Sequence, residues 1–513
     1  MKTSKRWLAL LLAMLLMLTC LAGCGSKDKD EPEEDAAEKE TSDGGLAESF
    51  EDADDVAYVL IYNPDIYNEE SSSNVKLDTG DFDRDMIDTS AVRADDTGEE
   101  SELAFVSQRD TLGGLDFSAG EIEPSDRADD FVTPFKVGDT HDFCYNYIDG
   151  TDRTTFECIY AGEHANVWII EGSDDLSGEL AEKYGQCFDE EIYDLDVELY
   201  GEPRFAENGG NVNLLFYPMS GGVCGFFSPI DNLTEDELVL FAGADPEETA
   251  EMNSCLAIVH INTNFAAQDK YFESTCATLA HEFQHQINCS SWLDTSRRNL
   301  TMMHTWLNEA MSGYVEEVLA PGSKEVDGHY RAFARSDLIR HGQSLYNFDN
   351  DGRDIGVYGS VYLYSEFLHD LGGDDVFHAI HDYWRNSSSA PTEEAALVEA
   401  LGDDVVTMID ESIVFPEEVS FRSDNEEFMS KLTLAFYFSL LNGDPTQPDA
   451  YANVKAQALF YDELDGCDIE GGGRVIVATK DGSFEIPEDA DSGLVYIGLD
   501  ENFQPVTTII YGE

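Results

Sequence analysis

The chain has 513 residues, of which 42% are hydrophobic, so a sizeable folded core is available. That length suits two to four domains of about 100–200 residues each. Acidic residues number 106 against 29 basic ones, and the formal net charge is −77. This charge argues against nucleic acid as a partner, and against docking on an anionic membrane through a polybasic patch. It favours a well-solvated, repulsive surface, with calcium binding or a cationic partner as the alternative.

The first residues have the pattern of an export signal. Three basic residues among the first six precede an apolar run at 7–18, which is too short to span a bilayer comfortably. The Leu-Ala-Gly-Cys that follows at 21–24 resembles the bacterial lipobox. The resemblance implies a lipoprotein signal peptide at 1–23 and lipid attachment to Cys24. We therefore expect an extracellular protein that touches the membrane only through its N-terminal lipid. An ordinary signal peptide with an incidental cysteine, and thus a secreted protein, is the alternative.

The first half of the mature chain changes composition near residue 56. Residues 24–55 are acidic and have almost nothing to bury, which predicts a disordered tether. From 56 to 172, short apolar runs alternate with Gly, Asp and Asn, which predicts a β-rich N-terminal region. Strands are expected at 56–62, and at 156–160 and 166–170 as neighbours joined by a short turn.

Helical periodicity dominates the next region, 173–420, which we expect to form one domain. Strands predicted at 211–217 and 255–261 come first. Helices are predicted at 268–289, 305–319, 327–346, 356–371, 374–386 and 402–413.

The last region, 421–513, is predicted to hold a helix and a small β module. The helix is expected at 426–441, and strands at 474–478, 493–498 and 506–510. Eight cysteines follow Cys24; they agree with export, but they allow 105 disulfide connectivities, so the pairing stays open.

The motif that carries chemistry is the H-E-x-x-H at 281–285. Apolar residues around it recur at helical spacing, so His281 and His285 lie one turn apart on a single helix. Two imidazoles in that arrangement can share one zinc ion, Zn²⁺. Glu282 lies beside them, where a carboxylate can take a proton from metal-bound water. The alternatives are a pair of helix-surface histidines, or a zinc site without catalysis.

A catalytic zinc needs a third protein ligand. The metzincin solution is excluded, because Asn288 and Ser291 occupy its two diagnostic positions. A glutamate from a second helix is the other common solution. Glu309 lies on the polar side of the amphipathic helix predicted at 305–319, with Glu316 or Glu317 as the alternative ligand.

The sequences of these two helices resemble those of a known family. An Asn-Glu-Ala-x-Ser stretch after H-E-x-x-H is similar to the motifs of the gluzincin metallopeptidases, of which thermolysin is the best-known example. The stretches at 278–285 and 306–309 resemble the signature helices of the hyicolysin-like peptidases more closely, and similarity extends over about 160–420. This resemblance implies an α+β fold, with a thermolysin-like zincin catalytic domain between β-rich N- and C-terminal modules. It also implies His281, His285 and Glu309 as zinc ligands.

The resemblance also implies supporting groups, and one of them departs from the pattern. In thermolysin-like enzymes an Asp one turn after the ligand Glu orients a zinc histidine. Gly313 stands there, and Glu316 is the expected substitute, one further turn along. These enzymes also place a Tyr or His donor at the oxyanion. We favour Tyr358, with Tyr362 and His341 as alternatives and packing as the default role of each.

A calcium ion, Ca²⁺, is a further candidate cofactor. The acidic turn at 349–354 spaces oxygen ligands much as a calcium loop does, although it lacks the distal Glu of an EF-hand. A solvated acidic turn is the alternative.

Together these patterns predict a lipid-anchored extracellular zinc metalloendopeptidase that acts on protein or peptide substrates. The strand at 256–261 is expected to pair with the substrate backbone, and Glu282 to act as general base. One alternative is a binding or adhesion lipoprotein with a catalytically silent zinc domain. Another is an exopeptidase or a narrow self-processing enzyme, although no residue is evident that would clamp a substrate terminus. Substrate identity, oligomeric state and propeptide removal are left open.

Overall fold

The structure is a computed structural model. It describes residues 56–67, 135–145, 152–204, 210–220, 223–242, 256–293, 300–321, 329, 332–334, 336–348, 355–442, 459, 464, 467–479, 484, 486, 493–507 and 509–512. The signal peptide, Cys24, the acidic tether and the calcium candidate at 349–354 lie outside these residues. Among the described helices, none combines the length and the apolar character needed to cross a membrane.

Strands and helices are both abundant, so the chain is of the α+β class. The strands are β1 (Tyr58–Tyr62), β2 (Thr140–Tyr145), β3 (Asp152–Ala161), β4 (Ala165–Ile170), β5 (Val212–Tyr217), β6 (Gly225–Phe226), β7 (Ile258–Asn262), β8 (Arg474–Ala478), β9 (Val495–Leu499) and β10 (Ile510–Tyr511). The helices are α1 (Gly178–Cys187), α2 (Tyr193–Tyr200), α3 (Glu235–Ala242), α4 (Thr263–Ala266), α5 (Phe272–Leu293), α6 (Thr305–Leu319), α7 (Asp337–Arg340), α8 (Ile355–Gly372), α9 (Val376–Asn386), α10 (Glu393–Ser412) and α11 (Asp424–Asn442).

The described chain divides into two compact units. The larger unit, within 97–333 and 348–402, is built on a six-stranded sheet in the order β2-β3-β4-β5-β7-β6. Its central strands β4, β5 and β7 run parallel, and the other neighbours are antiparallel. Parallel central strands are buried on both faces, and β5 and β7 are buried at every residue. The predicted neighbours at 156–160 and 166–170 are β3 and β4.

The strand at 256–261, expected to pair with the substrate backbone, is β7, which has a described strand on each side. β7 pairs with β5 along its whole length on one side. On the other side it pairs with β6, where Gly225 lies opposite Ile261. Gly225 is required there, because a Cβ would lie 2.8 Å from the carbonyl oxygen of His260. Among the described strands, β6 is therefore the outer one on this side of the sheet.

The helices of the larger unit follow the predicted periodicity closely. α6 has the predicted bounds, 305–319, and it packs against both α5 and α8. α5 begins at Phe272 rather than at 268, because a 3₁₀ turn at 269–271 precedes it. α10 begins well before the predicted start at 402 and is interrupted at Gly402, whose φ of 76° is not helical.

The smaller unit includes the described residues before 97, those at 334–347 and those after 402. Its sheet has the order β10-β9-β1-β8 and is antiparallel throughout. β1 is therefore central and pairs with strands near the end of the chain, which differs from its predicted grouping in 56–172. The helix predicted at 327–346 is also shorter among the described residues: Ser336 is extended (ψ 113°) and caps the four-residue α7 through the N–H of Ile339.

Candidate metal centre

The two histidines of the H-E-x-x-H motif lie side by side on α5. His281 and His285 are both buried, at 3% and 2% exposure. Their ring centroids are 4.7 Å apart, and the rings are nearly perpendicular, at 89°. A helix places residues i and i+4 on one face, so this arrangement follows from the local sequence.

Glu309 comes from α6 and completes a group of three. One carboxylate oxygen lies 3.3 Å from Nε2 of His281, and the other lies 3.6 Å from Nε2 of His285. One ligand atom from each residue lies within 4.8 Å of the others, and within the described residues this is the one such group found.

The donor set suits a metal ion. Both oxygens of Glu309 are buried and face the two ring nitrogens, and a buried carboxylate is costly unless it is paired or coordinates a metal. Two imidazole nitrogens and one carboxylate oxygen are a usual donor set for catalytic zinc. The residues present therefore fit a divalent cation such as zinc.

Glu316 lies on the side of His281 opposite Glu309. Its Oε1 lies 2.5 Å from Nδ1 of His281, on the ring nitrogen that faces away from Glu309. Its other oxygen lies 3.3 Å from Nε2 of His329. Carboxylates bonded to the second nitrogen of a metal-binding histidine fix its tautomer and its orientation. Glu316 is therefore placed as a positioning residue for His281.

The packing of α6 against α8 explains why no acid stands at position 313. A Cβ on Gly313 would lie 3.3 Å from Cδ2 of Tyr362, so a larger side chain would press on that ring. Tyr362 in turn stacks on His329, with centroids 5.5 Å apart. The aromatic ring occupies the space beside 313, and the carboxylate that reaches His281 comes from Glu316 instead.

Burial and nearby charges shift the pKa values of three members of this group. Burial acts to lower the pKa of His281, but the carboxylates of Glu316 and Glu309 outweigh it and raise that pKa well above its ordinary value. For Glu316, burial acts to raise the pKa, but His281 and His329 outweigh it and lower the pKa to about 2. Burial lowers the pKa of His285 to about 4, so its ring is neutral at pH 7 and can act as a ligand.

Glu282 has the environment of a general base. It is 6% exposed, and burial raises its pKa to about 8. Its carboxylate also accepts a hydrogen bond from the backbone N–H of Phe227, the residue directly after β6. A nearby divalent cation would lower this pKa toward neutrality, the range suited to proton transfer at pH 7.

The candidate oxyanion donors lie at different places. Tyr358 is buried in α8, and its ring packs edge-to-face on Phe348 at 4.6 Å. The hydroxyl of Tyr362 donates to Glu366 on the same helix. His341 lies just after α7 in the smaller unit, where its Nδ1 meets the carbonyl of Asp337.

Sequence reasoning missed two buried polar residues near the group. His329 was assigned to a predicted helix, and no spacing links it to Glu316. Asp196 on α2 is completely buried, and neither carboxylate oxygen has a hydrogen-bond partner. Burial raises the pKa of Asp196 well above its ordinary value, with His281 acting in the opposite direction. The position of Asp196 beside α5 depends on helix packing, which no local sequence pattern reveals.

Comparison with known proteins supports a protease. No protein-family model matches the chain. The chain is 27% identical over 248 residues to "Neutral metalloprotease ShpI" of Staphylococcus hyicus. The match covers 47% of this chain and 53% of that protein, so the chain spans about half the length of this relative. The similarity supports a metalloprotease family, and the His-His-Glu group agrees with a metal site.

Proposed function

We propose that this chain is an extracellular zinc metalloendopeptidase, held at the bacterial membrane by a lipid on Cys24. The observation that carries the proposal is the buried group of His281, His285 and Glu309 with Glu282 beside it. The similarity to a neutral metalloprotease over about half the chain supports the same activity. The lipid anchor and the export signal rest on residues 1–24 alone.

His281, His285 and Glu309 would hold the zinc ion. Zinc in such a site acts as a Lewis acid on a scissile carbonyl and makes water a stronger acid. The ring of His285 is neutral at pH 7, and the carboxylate of Glu309 faces both histidines, so these groups can act as ligands. Glu316 would keep the ring of His281 in the orientation that ligation needs.

Glu282 would act as the general base. Its carboxylate takes a proton from the attacking water and passes it to the amine that leaves when the peptide bond breaks. The N–H of Phe227 holds this carboxylate in place. Tyr358 remains our proposed oxyanion donor, as the resemblance implies.

We infer that β6, rather than β7, receives the substrate backbone. β6 is the outermost of the described strands on its side of the sheet, and Phe227 directly follows it and contacts Glu282. A peptide added as a further strand would therefore run past the general base. Strand addition uses main-chain hydrogen bonds, so it tolerates varied substrate sequences.

The test is hydrolysis of a denatured protein by the full chain and by Glu282→Gln. We expect activity in the parent, its loss in Glu282→Gln, and zinc bound one-to-one in both. Glu273→Gln is a matched control, because Glu273 lies exposed in the first turn of the same helix. Zinc bound one-to-one without hydrolysis in the parent would instead favour the silent binding lipoprotein.

A second comparison separates endopeptidase from exopeptidase activity. Cleavage of a blocked peptide with an internal bond is expected, and cleavage of a free aminoacyl substrate is not. Chelation should abolish activity, and added zinc should restore it. The reverse substrate preference would contradict the endopeptidase assignment.

A further inference from the structure

Two buried thiols meet between α1 and α5. Cys187 is the last residue of α1, and Cys276 lies in the second turn of α5; they are 8% and 4% exposed. Both cysteines are free, and the side chain of Cys276 contacts the Cys187 thiol. This contact, together with burial, raises the pKa of the Cys276 thiol far above its ordinary value.

Aromatic contacts hold the two elements together on both sides of the thiols. Tyr184, one turn before the first thiol, stacks on Phe272 with centroids 5.0 Å apart. Phe188, directly after that thiol, packs edge-to-face on Phe283, also at 5.0 Å. The thiols therefore lie beside two ring contacts that join residues 184–188 to α5.

The backbone near Cys187 is fixed by a separate anchor. Asp189 accepts hydrogen bonds from the backbone N–H groups of His164 and Ala165, at 2.8 and 2.9 Å, in the turn between β3 and β4. It also accepts one from the Tyr160 hydroxyl at 2.7 Å. A disulfide forms without strain only where the backbone already holds two cysteines at a suitable separation. Here noncovalent contacts hold the thiols together.

We propose that Cys187 and Cys276 form a disulfide that ties α1 to the helix carrying the H-E-x-x-H motif. One thiolate attacks an external disulfide oxidant, which releases one oxidant thiolate and leaves a mixed disulfide; the second cysteine thiolate then attacks the protein sulfur of that bond and releases the other oxidant thiolate. A new S–S bond forms in the protein, and the oxidant's S–S bond breaks to give two thiols. Two electrons and the two thiol protons pass to the oxidant. This step rests on the export in the proposed function, since such bonds persist in oxidising compartments.

The bond would restrain the chain around the metal group. Cys276 precedes His281 by little more than one helical turn, so the covalent link would fix the segment of α5 that leads into the motif. A cross-link between residues this far apart in sequence removes many conformations from the unfolded chain. Reduction is therefore expected to lower the unfolding temperature by several degrees.

The test is peptide mapping of the full chain, exported and purified without reductant. The chain is denatured in N-ethylmaleimide, digested and analysed by mass spectrometry. We expect one cross-linked pair of peptides containing Cys187 and Cys276, which separates on reduction. Cys144→Ser should leave this pair intact, and Cys187→Ser should leave Cys276 alkylated. A link from either thiol to another cysteine would contradict the pairing, and alkylation of both thiols in the parent would contradict formation of the disulfide during export.

A refolding experiment tests the cysteine pairing independently of export. The reduced, denatured full chain is refolded in a glutathione redox buffer with zinc and then mapped in the same way. A Cys187–Cys276 link after refolding supports the pairing even if the cell-purified chain is reduced, a result that would count against export. Alkylation of both thiols after refolding overturns the pairing itself. Neither arm depends on peptidase activity.

Discussion

Removal of the Glu316 carboxylate should weaken zinc binding without removing a ligand. Glu316 is buried and lies 2.5 Å from Nδ1 of His281 and 3.3 Å from Nε2 of His329. Truncation to alanine leaves both ring nitrogens buried without this partner. The ring of His281 then loses the contact that fixes its tautomer and orientation toward the metal.

The expected magnitude follows from the type of bond lost. Removal of such a supporting partner typically costs 10- to 100-fold in metal affinity, or about 1.4–2.7 kcal/mol. Glu316→Ala should fall near the larger value, because the short bond is charge-assisted and buried. Glu316→Gln keeps the size and one acceptor oxygen but loses the charge, so about tenfold is expected.

Competition with a chromophoric chelator measures the zinc affinity directly. Glu317→Gln is the matched control, since it removes the neighbouring carboxylate on α6 and should leave affinity nearly unchanged. Circular dichroism of each variant, with and without zinc, checks that the fold is intact. Unchanged zinc affinity in folded Glu316→Ala would refute the positioning role. An equal loss in Glu317→Gln would indicate a general charge effect instead.

Four further outcomes test other parts of the site. His329→Gln should lower zinc affinity by less than Glu316→Ala, to about the tenfold level, because Glu316 keeps its bond to His281; a larger loss would contradict this order. Gly313→Asp should destabilise the fold by about 1–3 kcal/mol through pressure on Tyr362, measured by urea unfolding, and should not restore zinc affinity to Glu316→Ala. Tyr358→Phe should lower kcat with little change in KM, and full turnover would remove Tyr358 from the mechanism. Burial lowers the pKa of His381 to about 3 in the folded chain. Between about pH 6.5 and 3 the unfolded chain therefore binds a proton that the folded chain does not, so the free energy of unfolding falls as the pH falls through that window. His381→Gln should flatten this pH dependence, and an unchanged slope of unfolding free energy against pH would contradict the prediction.

Local periodicity was sufficient for the helices that build the candidate site. The 3.6-residue pattern predicted α6 at its observed bounds and α5 to within four residues at each end. H-E-x-x-H on a helix then forces His281 and His285 onto one face, because that spacing is a property of every α-helix. The approach of Glu309 needed a further premise, the resemblance to gluzincins, since nothing local determines how two helices pack.

Contacts between distant segments were beyond local patterns. β1 has the sequence of a buried strand, but its partners β8 and β9 lie more than 400 residues later. β7 was predicted as a strand, yet whether it is an edge depends on where the two-residue β6 packs. Strand propensity reports how a segment fits a sheet and says nothing of its neighbours.

Residue identities and spacing were enough to establish the available chemistry: the donor types, the spacing of two histidines along one helix, and an acidic chain whose first residues have the pattern of an export signal. Helix and strand packing determines which of these groups come into contact. It brings Glu309 to the two histidines, puts the ring of Tyr362 beside Gly313, and delivers the carboxylate of Glu316 to His281. It also joins Glu316 to His329 and one thiol to another across two helices. Local residue preferences act over one or two turns of chain, whereas these contacts depend on the packing of whole elements, which many distant side chains determine together.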